Sequence, residues 1–374
     1  MKRKEWKWME KMLAIGLEGI VVAETDLSLV DGQNGLLVYR GHWAQDLAIS
    51  HTFEEVAYLL WFGALPTEEQ LSGFQTALAQ QRALPKEVKE VIDAIPHDRD
   101  MMTVLRTAVS ALGGAEQSWP PTLEQSIAIT AKMPTIIAYR EARKTGREPQ
   151  EPRMELSHTA NYLYMLKGVV ASNAHVRALD AYLVLTQEHG MNASTFAGRV
   201  VTSTQSDIYS ALTAAIGALK GPLHGAAPSE VTEMINAIGS KDQAEGWIRA
   251  RLESGQRLMG FGHRVYKTID PRATALRVVA AELAEDDPWF DLATHVEQVG
   301  TKLLAEYKPK RKLHTNVEFF AAAVMRAVGL NEELFTPTFA VSRTVGWCAH
   351  ILDQAGRNRI IRPESEYTGN MPKS

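Results

Sequence analysis

The chain is nearly without cysteine. A single residue, Cys348, stands in 374. An internal disulfide framework is therefore excluded, and the usage fits a reducing compartment. An excess of charge of one sign is also lacking. Forty Lys and Arg face 44 Asp and Glu, a formal net charge of −4, so no general affinity for nucleic acid is expected. Long apolar runs are missing too: stretches such as Val56–Gly63 break well short of a membrane span. The first residues, Met1–Met12, are basic and carry two tryptophans, but lack the apolar block and small-residue cleavage site of a signal peptide. Glu5 and Glu10 argue against a mitochondrial transit sequence. These absences together point to a cytoplasmic protein of bacterial type. No fixed-period repeat is present, which argues against a solenoid.

What remains is an ordinary globular composition, 45% hydrophobic and 22% charged. The length suits one large lobe bearing a smaller one. Helical periodicity dominates. His51–Phe62 opens with Thr52 and Glu55 in capping-box spacing, and Pro66-Thr67-Glu68-Glu69 opens the next helix. Met101–Leu112, Leu123–Arg143, Asn161–Leu166, Val176–Glu188 and the alanine-rich Asn192–Lys220 continue the pattern. Glu230–Gly239, Asp242–Ser254, Pro271–Leu283, Asp291–Tyr307, Glu318–Val328 and Phe339–Ala355 complete it. Pro134 is expected to kink or break its helix. Arg143–Arg153 reads as a surface loop, and the basic run Lys308–Lys312 as solvated surface. The only strand candidates are Gly19–Glu24 and Leu36–Tyr39, too few for a central sheet. The expected fold class is all-α.

Two histidine segments stand apart from this pattern. Gly-Pro-Leu-His-Gly at Gly221–Gly225 and Gly-Phe-Gly-His-Arg-Val-Tyr-Lys at Gly260–Lys267 set His224 and His263 among glycines, where backbone can approach a ligand. His224 reads either as a satisfied histidine at a helix start or as a neutral electrophile poised by a helix N-terminus. Around His263, Arg264, Lys267 and Arg272 make either a basic surface loop or an anion site. Glu318, in Asn-Val-Glu-Phe-Phe, is either a dipole-paired glutamate at a helix start or a general base whose apolar neighbours raise its pKa. In Glu188–Thr195, Asn192 or Ser194 would serve as N-caps, and His189 would bind a carboxylate. Two imidazoles and a carboxylate form an acid/base set that requires neither metal nor organic cofactor.

The order and spacing of these segments resemble the citrate synthase family over nearly the whole chain, from Gly16-Leu17-Glu18-Gly19 to Ile361-Arg362-Pro363. Tyr39-Arg40-Gly41, Leu65-Pro66-Thr67, His189–Thr195, Asp270-Pro271-Arg272, Phe335-Thr336-Pro337 and Ser342-Arg343 carry the likeness jointly with the segments above. The length is similar to that of the short bacterial, Bacillus-type form. The resemblance implies condensation of oxaloacetate with acetyl-CoA, then hydrolysis of citryl-CoA, with no cofactor because acetyl-CoA is a substrate. It implies that His224 polarises the thioester carbonyl, Glu318 removes the methyl proton, and His263 binds and protonates the ketone oxygen. It further implies that His189, Arg272, Arg343 and Arg362 hold the oxaloacetate carboxylates, Arg362 reaching in from the partner subunit of a homodimer. CoA would lie along Arg257, Leu258, Met259 and Gly260, with Arg264 and Lys267 toward its phosphates. A large helical domain of residues 1–221 and 326–374 would then carry a small inserted one of 222–325.

Two departures accompany the resemblance. Glu318 stands where the family has aspartate, in Asn-Val-Glu-Phe for Asn-Val-Asp-Phe. The added methylene moves the carboxylate by about 1 Å unless the site adapts. Gly225-Ala226-Ala227-Pro228-Ser229 replaces the usual Gly-Gly-Ala-Asn-Glu, so Pro228 would alter the helix start beside His224. Two alternatives stay open: a 2-methylcitrate synthase using propionyl-CoA, and a catalytically weakened homologue that binds CoA or oxaloacetate.

Overall fold

The structure is a computed structural model describing residues 14–114, 119–225, 227–263, 265–283 and 287–372, with the side chains of 227–229 left undescribed. The sequence expectations for 1–13, Ala226, Pro228 and Arg264 thus fall outside the described residues. The chain opens with a small antiparallel sheet of β1 (Ser28–Asp31), β2 (Leu36–Tyr39) and β3 (His42–Trp43). Ser28 pairs with Tyr39, and Val38 with Trp43. The helices that follow are α1 (Ala44–Ser50), α2 (Phe53–Phe62), α3 (Glu68–Gln80), α4 (Lys86–Ala94), α5 (Met101–Ala111) and α6 (Leu123–Lys144). Then come α7 (His158–Lys167), α8 (Asn173–Thr186), α9 (Ala193–Ser203), α10 (Ile208–Leu219), α11 (Ala227–Ile238) and α12 (Lys241–Glu253). The last four are α13 (Pro271–Leu283), α14 (Pro288–Tyr307), α15 (Val317–Ala327) and α16 (Phe335–Gly356). The fold is all-α, with the sheet a minor appendage.

Local chemistry explains most helix ends. Thr52 accepts from the Glu55 amide while the Glu55 carboxylate takes the Thr52 amide at 2.7 Å, which satisfies two orphan donors of α2. Thr67 with Gln70 does the same for α3. Four expectations need correction. Gly19–Glu24 forms no strand; its Val21 is exposed and has no pairing partner strand. Asn192–Lys220 is two helices, because Gln205 takes a left-handed φ of 65° and the Asp207 carboxylate caps α10 by accepting from the Ser210 amide. Helix α6 runs unbroken through Pro134; burial of Ile129, Met133, Ile136 and Ile137 outweighs the one amide donor that proline removes. Helix α8 ends at Thr186, so Glu188 lies beyond it, in the turn that leads to α9.

Helix α16 is the spine of the core. It is buried from Phe335 to Ile351 on nearly every face and packs against α6, α8, α9 and α10. A helix apolar all round belongs at the centre of a large bundle. Helix α8 packs on α16 on one side and on α13 and α15 on the other. Its C-terminal end therefore delivers the next turn, with His189, to the seam between these groups. Among the described residues no helix is long and apolar enough to cross a membrane.

Candidate active site

His224 sits in a turn closed by its own amide donating to Gly221 O at 2.9 Å. The turn lies so close to its neighbours that a Cβ on Gly225 would fall 2.3 Å from Leu219 O. Only glycine fits there. Gly225 O in turn accepts from Thr336 Oγ1 at 2.7 Å, tying the turn to the start of α16. Leu223 is 99% exposed, whereas the His224 ring turns inward, its Nε2 2.8 Å from Ser194 Oγ. Ser194 is fully buried; it accepts from Trp347 Nε1 at 3.0 Å and lies 2.7 Å from Asn192 Oδ1. Asn192 Oδ1 only accepts, so Ser194 donates to it and the His224 ring donates to Ser194 from Nε2. Turning the Ser194 proton toward His224 moves the ring's proton to Nδ1, toward a ligand.

His263 is held in one tautomer. Its Nδ1 accepts from the amides of Val265 and Tyr266, both at 3.1 Å, so in the neutral ring the proton sits on Nε2. That nitrogen lies 3.3 Å from Arg272 Nη2. Two donors side by side mark a place for an oxygen acceptor. The His263 turn is strapped to the start of α15: Gly262 N donates to His314 O at 2.7 Å and Asn316 Nδ2 to Gly262 O at 2.8 Å. Asn316 also caps α15, accepting from the Glu318 amide at 3.1 Å. The two motifs, distant in sequence, are one structural unit.

Arg272 is buried and gripped by Asp270 through Nε at 3.0 Å and Nη2 at 2.9 Å. Burial opposes its charge, but the forked carboxylate outweighs that and holds its pKa above the ordinary value. The Asp270 Oδ2 also takes the Val317 amide at 3.1 Å, which orients the first turn of α15. Glu318, one residue on, is half-buried, and its Oε2 is fully buried with no hydrogen-bond partner among the described residues. Burial raises its pKa to about 7 against the pull of Arg272 and Arg343. His189 completes the group: its ring lies 5.7 Å from that of His263, and Nε2 is 3.1 Å from the Tyr266 hydroxyl. Arg343 is buried on α16, with Nε donating to Thr186 O at 2.7 Å.

All three imidazoles are kept neutral. Burial first, then Arg343, lowers His224 to about 4; burial, then Arg272, lowers His263 to about 4. His189 is pushed well down by burial and by Arg272 and Arg343. Neutral rings donate hydrogen bonds without competing as cations with the two guanidinium groups. The cleft therefore combines two arginines for a carboxylate-bearing ligand, neutral donors for carbonyl oxygens, and one carboxylate poised as a base.

Of the residues singled out from sequence, His189, His224, His263, Arg272, Arg343 and Glu318 interact through these contacts and charges. Arg362 does not join them within the chain. It is exposed, in a recess lined by Leu17, Ile20, Phe196 and Arg359. Of the CoA set, Arg257 and Lys267 are exposed, Met259 is half-buried, and the Leu258 side chain is buried. Gly260, with φ 75°, is buried where a Cβ would meet Phe319 at 2.8 Å. Leu258 and Gly260 thus offer a ligand backbone only. Sequence reasoning assigned no role to Asp270, Tyr266, Glu188 and Trp347. Asp270 was findable, two residues from an arginine; Trp347 carries no signal in sequence. Asn192 does cap α9, accepting from the Thr195 amide at 3.0 Å, but Ser194 is the contact of His224 and not a cap.

Such an arrangement suits an acid/base enzyme acting on a carbonyl substrate with carboxylate groups. The family model described as "Citrate synthase, C-terminal domain" matches residues 16–364. Citrate synthase of Haloferax volcanii is 42% identical, covering 96% of this chain and 97% of its own. Citrate synthase 2 of Bacillus subtilis is 40% identical, with 95% of each covered. A 2-methylcitrate synthase of Shewanella oneidensis is 38% identical, with 97% of each covered. The structure also resembles the ternary complex of carboxymethyl coenzyme A and oxaloacetate with citrate synthase from Thermoplasma acidophilum. That match has a TM-score of 0.89 at 30% identity and covers 97% of this chain and 98% of the other. The chain belongs to the citrate synthase family. It is an enzyme, a transferase of the citrate (Si)-synthase type, and such enzymes need no cofactor, acetyl-CoA being a substrate.

Proposed function

We propose that this cleft condenses oxaloacetate with acetyl-CoA and water to give citrate and CoA, with Glu318 as the base. The Glu318 carboxylate takes a proton from the acetyl methyl, and His224, through Nδ1–H, supports the charge that grows on the thioester oxygen. The enol carbon then joins the ketone carbon, whose oxygen takes the His263 Nε2 proton, and the proton held by Glu318 is passed back to His263, which restores both groups. Water finally cleaves the citryl thioester and releases CoA. His189, Arg272 and Arg343 hold the oxaloacetate carboxylates. In this reading the chain works as a cytoplasmic homodimer, and Arg362 serves the partner's site, in keeping with its exposure in a recess lined by none of the site histidines. Residues 222–325 form a small domain closing over 1–221 and 326–374. The mutual packing of α12 with α14 and of α11 with α15 supports that division. Backbone around Arg257, Leu258, Met259 and Gly260 and the Arg264 and Lys267 side chains receive CoA.

The observation that carries this reading is the partnerless buried oxygen of Glu318 beside two guanidinium groups. An unsatisfied buried carboxylate is costly unless a ligand proton is its partner. Thiol release from acetyl-CoA with oxaloacetate tests it: CoA is released, and none above background would end the proposal. The 38% identity to a 2-methylcitrate synthase favours one second reading. An extra methylene is worth about 1–3 kcal/mol, so kcat/KM for propionyl-CoA against acetyl-CoA in the same assay separates the two.

A further inference from the structure

The reaction described above leaves unused a buried acid that directly adjoins one of its histidines. Glu188, directly before His189, is fully buried. Its Oε1 accepts from Ser28 Oγ at 2.9 Å, from His350 Nε2 at 3.1 Å and from the Gly190 amide. Its Oε2 has no partner. Three residues of α16, spaced i, i+3 and i+7, run along the segment that ends at Glu188. Arg343 Nε meets Thr186 O, Gly346 N meets Gln187 O at 3.1 Å, and His350 meets the Glu188 carboxylate. Gly346 leaves room for that carboxylate: a Cβ there would fall 2.5 Å from Oε2.

The His350 ring cannot turn away. Its Nδ1 lies 3.0 Å from Arg199 Nη1, and a guanidinium only donates, so Nδ1 accepts and Nε2–H is aimed at Glu188. Arg199 is itself fixed by Asp353 at 2.8 Å and Gln354 at 3.2 Å. Among the described residues no lysine or arginine pairs with the Glu188 carboxylate, and His350 meets it as a hydrogen-bond donor. Arg343 lies two turns of α16 before it; its guanidinium sits over the Phe339 ring at 4.7 Å, and among the described residues its terminal nitrogens have no hydrogen-bond partner. Glu188 and Arg343 feel each other's charge without touching. A buried carboxylate released beside a buried guanidinium would close onto it.

We propose that His350 is a positioning residue that holds the Glu188 carboxylate off Arg343, keeping that guanidinium open for a carboxylate of the substrate. The inference rests on Arg343 as an oxaloacetate-binding group. Glu188 is thus a latent competitor of the substrate, and the Arg199–His350 pair is its restraint. Removing the restraint weakens dicarboxylate binding, and removing the competing charge as well restores it.

The experiment is steady-state kinetics of the full chain by thiol release. Wild type comes first; without activity the functional reading itself fails. With activity, His350→Leu raises KM for oxaloacetate about 10-fold or more and leaves KM for acetyl-CoA within about 3-fold. His350→Gln, whose amide can accept from Arg199 and donate to Glu188, keeps KM for oxaloacetate near wild type. His350→Leu combined with Glu188→Gln recovers most of the lost affinity, which a merely structural role would not. An unchanged oxaloacetate KM in His350→Leu, or a double variant no better than the single, overturns the proposal. If His350→Leu does not fold, Arg199→Gln, alone and with Glu188→Gln, is judged by the same two outcomes.

Discussion

Two clusters of buried polar groups in this chain perturb their members to a similar degree, and only one is the proposed site. In the cleft, Glu318 is raised to about 7 and His224 and His263 fall to about 4, burial leading in each case. Between α2, α7 and α8, Asp180 is raised to about 8 by burial and by Glu54, and burial lowers His158 to about 3. There Glu54 takes the His158 amide at 2.7 Å, and the His158 ring stacks on Phe53 at 4.3 Å. The second cluster is sealed: Glu54, Arg82 and His158 are at most 2% exposed. In the cleft, His189, His224, His263 and Glu318 are all half-buried. A shifted pKa therefore records burial, while function also needs a space onto which donors, cations and a base converge.

The comparison breaks first at Glu318. Glu318→Gln, which keeps the shape and removes the base, lowers kcat about 10³-fold. Glu318→Asp tests whether the pocket has adapted to the longer side chain. A large loss of kcat shows adaptation, and a gain shows that glutamate slows proton removal, the shift in position being worth about 10²-fold. His224→Ala comes next, lowering kcat about 10²-fold with the fold intact by circular dichroism.

The pH profile sharpens the contrast further. Glu318 acts as its carboxylate, so kcat/KM for acetyl-CoA rises with pH through about 7 and levels above it. His224 and His263 stay neutral across that range, so the acid limb moves in Glu318→Asp and not in His350→Gln. At the sealed cluster the signature is in stability and not in rate. Asp180 is raised from its unfolded value near 3.8 to about 8, so the protonated folded form is favoured at low pH. That contribution is complete below about 4 and is lost as pH rises toward about 8. Asp180→Asn flattens denaturant midpoints over this window and leaves kcat within about 2-fold. The smallest effect is at the start of α2, beside the sealed cluster: Thr52→Ala removes a capping box and costs about 1 kcal/mol in urea unfolding, with kcat unchanged.

Much of the helical plan was legible because caps and periodicity are local. Thr52 with Glu55 and Pro271 at the first position of α13 mark their helices without help from the rest of the chain. The misses were cases where tertiary terms override local ones. Pro134 persists within α6 because the surrounding side chains are buried, and the α9–α10 break hides under a continuous alanine pattern. At the site, His189, His224, His263, Arg272, Arg343 and Glu318 were visible as chemistry beside glycine or proline, or by resemblance. Their supports were not, since Ser194 with Trp347 and Glu188 with His350 are joined across 153 and 162 residues.

By itself the sequence determined which helices form and which reactive groups are available, because hydrogen-bonded turns, caps and side-chain chemistry act over a few residues. Only the tertiary structure decided which nitrogen of His263 carries its proton, how far Glu318 is desolvated, and that Glu188 stays off Arg343. Those properties depend on dielectric and on donors supplied by distant elements, and both come into being when α16 packs along the end of α8 and the His263 turn docks on α15.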